Sequence, residues 1–171
     1  MRVLRALSSL LVTVTLIGCT SQSTAPGPAV LRDTAPPWPA PRDGLAQIQA
    51  AGLEPSRLDD TSGQRRFTLT IAIDGTPVAL VPYIGMDRPR ALQGPAHTHD
   101  DSGVVWLEGR GADTVTLGQF FTLWGVRFDA KCLGAVCGTL TVTADGKKVA
   151  EPVGLRLATV AKTVRVDVTG G

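Results

Sequence analysis

The sequence holds two histidines and three cysteines in 171 residues, and the common catalytic arrangements of those residues are missing. There is no H-E-x-x-H, which argues against a zinc protease. There is no C-x-x-C: Cys132 and Cys137 are too widely spaced for the dithiol motif of redox enzymes. Gly109-Arg110-Gly111 lacks the Lys-Ser/Thr sequel of a phosphate-cradling loop. A serine, a histidine and an aspartate can be grouped on paper, but no nucleophile elbow precedes a helix. The carboxylate pair Asp59-Asp60 falls in a polar loop and reads as solvated. An excess of charge is absent too. Of the 17 Lys and Arg, Arg2 and Arg5 lie at the very start, leaving 15 basic residues against 15 acidic ones, so there is no electrostatic case for nucleic acid.

What is present begins with a leader. Arg2 and Arg5 form a positive head, and an apolar stretch from Leu7 to Ile17 follows, too short to span a bilayer comfortably. Leu16-Ile17-Gly18-Cys19 resembles the lipobox of bacterial lipoproteins. That resemblance implies cleavage of residues 1–18, lipidation of Cys19 and attachment to the extracytoplasmic face of the cell membrane. An ordinary signal peptide with a chance cysteine is the alternative. Two acyl chains, at about 0.8 kcal/mol per buried CH₂, make a durable anchor where one is marginal. With Cys19 set aside, Cys132 and Cys137 read as a disulfide closing Leu133-Gly134-Ala135-Val136 in an oxidising compartment. Half of a metal site is the competing reading, and no second Cys or His pair lies nearby to complete it.

Residues 19–42 are rich in Ser, Thr, Pro and Ala, including Pro36-Pro37-Trp38-Pro39-Ala40-Pro41, and are expected to be a stiff tether. Trp38 within it reads as a docking residue or as incidental, with a polyproline ligand for a partner as a weaker option. Residues 43–171 suit one domain. Asp43 is placed to cap a short helix carrying Leu45, Ile48 and Ala51 on one side, with Gly52 to stop it. Phe67, Leu69, Ile71 and Ile73 alternate with Thr68, Thr70 and Ala72 and run into Asp74-Gly75, so a strand enters a hairpin that returns through Val78–Val81. Val104–Leu107 is expected to be a more buried strand. Thr116, Gln119 and Gly125 bracket a helix with a capping box, and Phe120, Leu123 and Trp124 form its core-facing stripe. A second alternating strand with an Asp-Gly turn, Thr139–Val149, repeats the first hairpin's pattern, which shared turn chemistry explains without a duplication. Val164, Val166 and Val168 close the chain. These elements predict an α+β, mostly β fold: an antiparallel sheet with one or two short helices, β-grasp-like, with a β-sandwich as the alternative.

One segment carries chemistry. His97-Thr98-His99-Asp100-Asp101-Ser102-Gly103 contains both histidines, and in extended backbone residues two apart project from the same face. Asp100, Asp101 or Glu108 would complete a shell with His97 and His99 that suits Zn²⁺ or Cu²⁺, copper being in keeping with an exported setting. The bland alternative is a solvated loop in which Asp101-Ser102-Gly103 makes a turn and the histidines cap backbone.

The same segment resembles a family of uncharacterised exported or membrane-anchored prokaryotic proteins. Its pattern is HTHD-x-x-G-hydrophobic-His-hydrophobic-Glu followed by FTLGQFF-x-x-WG. Here it reads His97 to Glu108, then Val115-Thr116-Leu117-Gly118-Gln119-Phe120-Phe121-Thr122-Leu123-Trp124-Gly125, with Asp74-Gly75-Thr76-Pro77-Val78 and Ile84-Gly85-Met86 matching upstream. The resemblance covers roughly residues 43 to 170 and implies no activity. Thr68 and Thr70 stand where that family often has alternating histidines, and Trp106 stands where its motif has the later one. If the family builds a histidine-rich metal site, this member keeps His97 and His99 alone. The sequence therefore favours a non-catalytic, lipid-anchored domain that binds a small ligand or an envelope protein, with no nucleic acid partner. The alternative is a metal-binding lipoprotein using His97, His99, Asp100 and Glu108, and a hydrolase is the weakest reading.

Overall fold

The computed structural model describes residues 26–171; the expected leader, residues 1–18, and the expected lipidation position, Cys19, lie outside the described residues. The first regular element is helix α1 (Gly44–Ala50), capped by Asp43, whose carboxylate accepts the Ala46 N–H at 3.1 Å. In chain order there follow β1 (Ser56–Arg57), β2 (Arg65–Ile73), β3 (Thr76–Val78), β4 (Met86–Asp87), β5 (Leu92–Gln93), β6 (Ala96–His97) and β7 (Val104–Leu107). Helix α2 (Leu117–Trp124) comes next, then β8 (Cys132–Leu133), β9 (Val136–Ala144), β10 (Lys147–Lys148) and β11 (Thr163–Gly170). The α+β, mostly β architecture is the one expected.

The main sheet runs β10-β9-β11-β2-β7-β6, with β3 beside the far half of β2 and β8 beside the start of β9. All its pairings are antiparallel except one: β11 runs parallel to β2, from Thr163 opposite Thr68 to Val168 opposite Ile73. Period-two alternation explains the layering. Phe67, Leu69, Ile71, Val105, Leu107, Val142, Val164, Val166 and Val168 all point to one buried face. Each Asp-Gly pair makes a tight turn with both residues in the left-handed region, as two-residue hairpins require. The return strand β3 ends at Val78, short of the Val81 expected.

Helix α2 has the anticipated capping box, and Gly125 ends it at φ 70°, a conformation that costs glycine little. Its burial exceeds the single stripe foreseen. Leu117, Phe120, Phe121, Leu123 and Trp124 are all fully buried, because Phe121 stacks on Phe128 at 4.3 Å while α1 packs on another side. In α1, Ile48 is buried as expected but Leu45 is only half-buried. Gln47 takes the inner place, exchanging hydrogen bonds with the backbone of Val30 at 3.0 and 2.7 Å.

That last contact changes the reading of the Pro-rich stretch. The packed unit starts before residue 43. Arg32 bridges to Val126, Trp38 is 1% exposed, and its ring meets Trp124 edge-on at 5.6 Å. The Trp124 indole N–H donates to the Trp38 carbonyl at 3.1 Å. A side chain spent on its own core is not available as a ligand for a partner. Over residues 30–42 the stretch is a strap across α2. Cys132 and Cys137 are joined by a disulfide, as expected, and Ala135 in the loop they close donates its N–H to Thr34 of the strap at 3.0 Å.

Candidate metal centre

β6 is two residues long and pairs with β7, placing Ala96 opposite Leu107 and His97 opposite Trp106. Since Val105 and Leu107 face the core, Trp106, His97 and Glu108 belong to the other face. The chain leaves the strand at Thr98, which is buried and knitted into the preceding loop. Its hydroxyl donates to the Val81 carbonyl at 2.7 Å and accepts the Ile84 N–H at 3.0 Å. Anchoring Thr98 on that side leaves the histidines on either side of it to turn together. Their rings meet edge-on with centroids 5.0 Å apart.

His97 is fully buried, Glu108 is 3% exposed, and His99 lies at the surface. One potential ligand atom from each falls within 4.8 Å of the other two, and among the described residues no other such group of His, Cys, Asp and Glu occurs. Two interactions orient the buried pair. The Nδ1 of His97 lies 3.1 Å from the Gly94 carbonyl, which can only accept, so Nδ1 carries the proton and Nε2 presents its lone pair. The Gln64 side-chain amide donates to Oε1 of Glu108, turning Oε2 toward His97. Nε2 and Oε2 then stand 3.4 Å apart, outside hydrogen-bonding geometry, and Nε2 has no hydrogen-bond partner. Burial pushes the His97 pKa below its ordinary value, which the Gly94 carbonyl and the Glu108 charge only partly oppose.

Gly94 is itself held in place. Its N–H donates to the Gly85 carbonyl at 2.8 Å, and Gly85 has φ 71°. A Cβ on Gly85 would stand 2.4 Å from the Ala96 carbonyl oxygen, so only glycine lets this loop close against β6. Beyond His99 the outer face continues with the Trp106 ring, edge-on to His99 at 5.6 Å, and the Arg66 guanidinium over that ring at 5.2 Å.

Of the residues expected from sequence, His97, His99 and Glu108 come together and Asp100 does not. Asp100 is exposed, and its carboxylate accepts the Ser102 N–H at 2.9 Å as well as the Ser102 hydroxyl. Asp100 looked like a ligand because it adjoins His99, but its spacing to Ser102 is that of a side chain closing its own turn. Asp101, also weighed as a ligand, lies on the exposed turn outside the cluster. Gln64 and Gly94 were not foreseen. One acts across 44 positions of sequence and the other through a backbone carbonyl, and neither leaves a local signal. Between them these residues form a three-donor group, two imidazole nitrogens and one carboxylate oxygen, capable of holding a metal ion. No family model, no curated protein and no solved structure matches this chain, so what the group does is argued from its own chemistry.

Proposed function

We propose that the chain is a lipid-anchored, extracytoplasmic domain that binds a divalent transition metal, Zn²⁺ or Cu²⁺, through His97, His99 and Glu108. The observation that carries this reading is the buried pair of acceptors, Nε2 of His97 and Oε2 of Glu108, which face each other at 3.4 Å while Nε2 has no hydrogen-bond partner among the described residues. Two buried acceptors in that position repel unless a proton or a cation lies between. A tetrahedral ion with bonds of ~2.0 Å sets its ligand atoms about 3.3 Å apart, close to the 3.4 Å between His97 and Glu108, and the His99 donor lies within 4.8 Å of both. The Gly94 and Gln64 contacts are the kind of outer-shell support that fixes ligand tautomer and direction in metal sites. Imidazole with carboxylate suits Zn²⁺ and Cu²⁺ over Mg²⁺ or Ca²⁺. Thr68 and Thr70, which stand where the resembled family often has histidines, alternate with the core-facing Phe67, Leu69 and Ile71 and share the outer face with Trp106 and His97, but they offer this chain no further imidazole. The anchor itself rests on Leu16-Ile17-Gly18-Cys19.

The test is calorimetric titration of the full chain in detergent with Zn²⁺ and with Cu²⁺, beside His97→Ala/His99→Ala. One-to-one binding that the double variant loses is expected. Absence of saturable heat in a folded wild-type protein would mean that a proton bridges His97 and Glu108, leaving the HTHD segment as turn architecture in a partner-binding domain.

A further inference from the structure

Among the described residues the cluster offers three ligands and no fourth. Both histidines of the chain are already in it, Asp100 is committed to Ser102, and the second oxygen of Glu108 is held by Gln64, so Glu108 binds through one atom. Zinc sites with four protein ligands are closed structural sites, whereas sites with three keep a position for an outside molecule. The arrangement of burial says where that position lies. His97 and Glu108 approach from inside and His99 from the surface, so an ion between them meets solvent on the His99 side.

Charge says what would be drawn there. A divalent ion with one carboxylate keeps a net positive charge. Arg66, a cation on this face, is exposed, lies directly across from Trp106 in the strand register, and pairs with no carboxylate among the described residues. Its neighbour Arg65, by contrast, is paired with Asp113. The Trp106 ring walls one side between Arg66 and His99.

Resting on the metal reading above, we infer that the ion takes an exchangeable fourth ligand from outside the chain, an anionic oxygen donor of the carboxylate class, and that Arg66 steers it in. The outside ligand bonds to the ion, Trp106 limits its bulk on one side, and the guanidinium compensates its charge. The domain is then a receptor for a small acid that sees the protein only when metal is present.

The test uses the full chain in detergent loaded with Co²⁺, whose visible ligand-field absorption reports its coordination shell. Sodium acetate is titrated at constant ionic strength, with imidazole as a neutral comparator. A saturable change of the spectrum with acetate is expected. Arg66→Ala is expected to weaken acetate about fivefold, the size of a unit charge acting over roughly 10 Å near a protein surface, and to leave imidazole unchanged. Arg66→Lys should restore the acetate affinity. A Co²⁺ spectrum indifferent to both acetate and imidazole would show a closed shell and overturn the inference while leaving the metal site standing. Equal acetate affinity in Arg66→Ala would remove Arg66 from it. Failure to acquire a Co²⁺ spectrum at all would overturn the metal reading itself.

Discussion

At the scale of single residues, His97 shows how a side chain with two nitrogens is given one task. The Gly94 carbonyl takes up Nδ1 and burial keeps the ring neutral, so the remaining lone pair faces Glu108. Gln64 performs the matching service for Glu108. Gln64→Ala should therefore reduce Zn²⁺ affinity by about 10- to 100-fold, the usual cost of losing an outer-shell contact, with little change in thermal stability without metal. Competition of the variant against a zinc-binding dye would measure it, and unchanged affinity would reduce Gln64 to a bystander. The histidines were legible in the sequence because extended backbone repeats its direction every second residue, and Glu108 because it sits two positions beyond Trp106 on the same face. Asp100 was misleading, since a carboxylate beside a histidine serves turns as readily as metals. Gln64 was invisible, because nothing local ties a polar loop residue to a strand 44 positions away.

At the scale of elements, α2 was the most legible part of the chain. Its cap, capping box and stop are all local chemistry, and local chemistry is what a sequence displays directly. The strap was the least legible. Proline density at 36–41 describes backbone stiffness, not destination, and the same composition serves a free tether and a docked one. Its docking depends on Trp38 finding Trp124 and on Gln47 finding Val30, contacts that no periodicity announces. Trp38→Ala should cost about 3–5 kcal/mol, as expected for emptying a fully buried aromatic site, and urea unfolding of the wild type and the variant would read it. A change below about 1 kcal/mol would mean that the strap contributes little to the fold and that Trp38 packs only passively.

At the scale of the molecule, the sheet is assembled around its latest strand. Strand β11 lies between β2 and β9, and the two Asp-Gly turns reach over to its two ends. Asp145 accepts the backbone N–H groups of Ala161, Lys162 and Thr163 at 2.8–2.9 Å, and Asp74 accepts that of Gly170 at 2.8 Å. The repeated hairpin pattern thus has a use beyond turning the chain, one that the sequence could not disclose because the second partner lies elsewhere. The Ala161 and Thr163 amides, with Lys162 behind them, hold the Asp145 carboxyl below the usual carboxylate range. A carboxyl whose value is lower in the folded chain than in the unfolded one contributes stability above the unfolded value, about 3.9, and loses it as pH falls through the folded value. Stability of the wild type should therefore fall more steeply below about pH 4 than that of Asp145→Ala, measured by denaturant midpoints across pH. Parallel pH profiles would show that the turn carboxylate does no electrostatic work.

The same central position of β11 governs how the chain comes into being. A ribosome or a translocation channel releases the protein from its N-terminus, and so delivers β2 with β7, and then β9 with β10, as two separate half-sheets. The strand that welds them is the last to emerge. Until Thr163–Gly170 is out, each half exposes an edge with unpaired backbone amides and carbonyls, and the apolar face of β2 has no neighbour on one side. The two half-sheets thus stay unjoined, with their edges exposed to aggregation, until β11 is released. Deleting Thr163–Gly170 removes the middle of the sheet, not its margin.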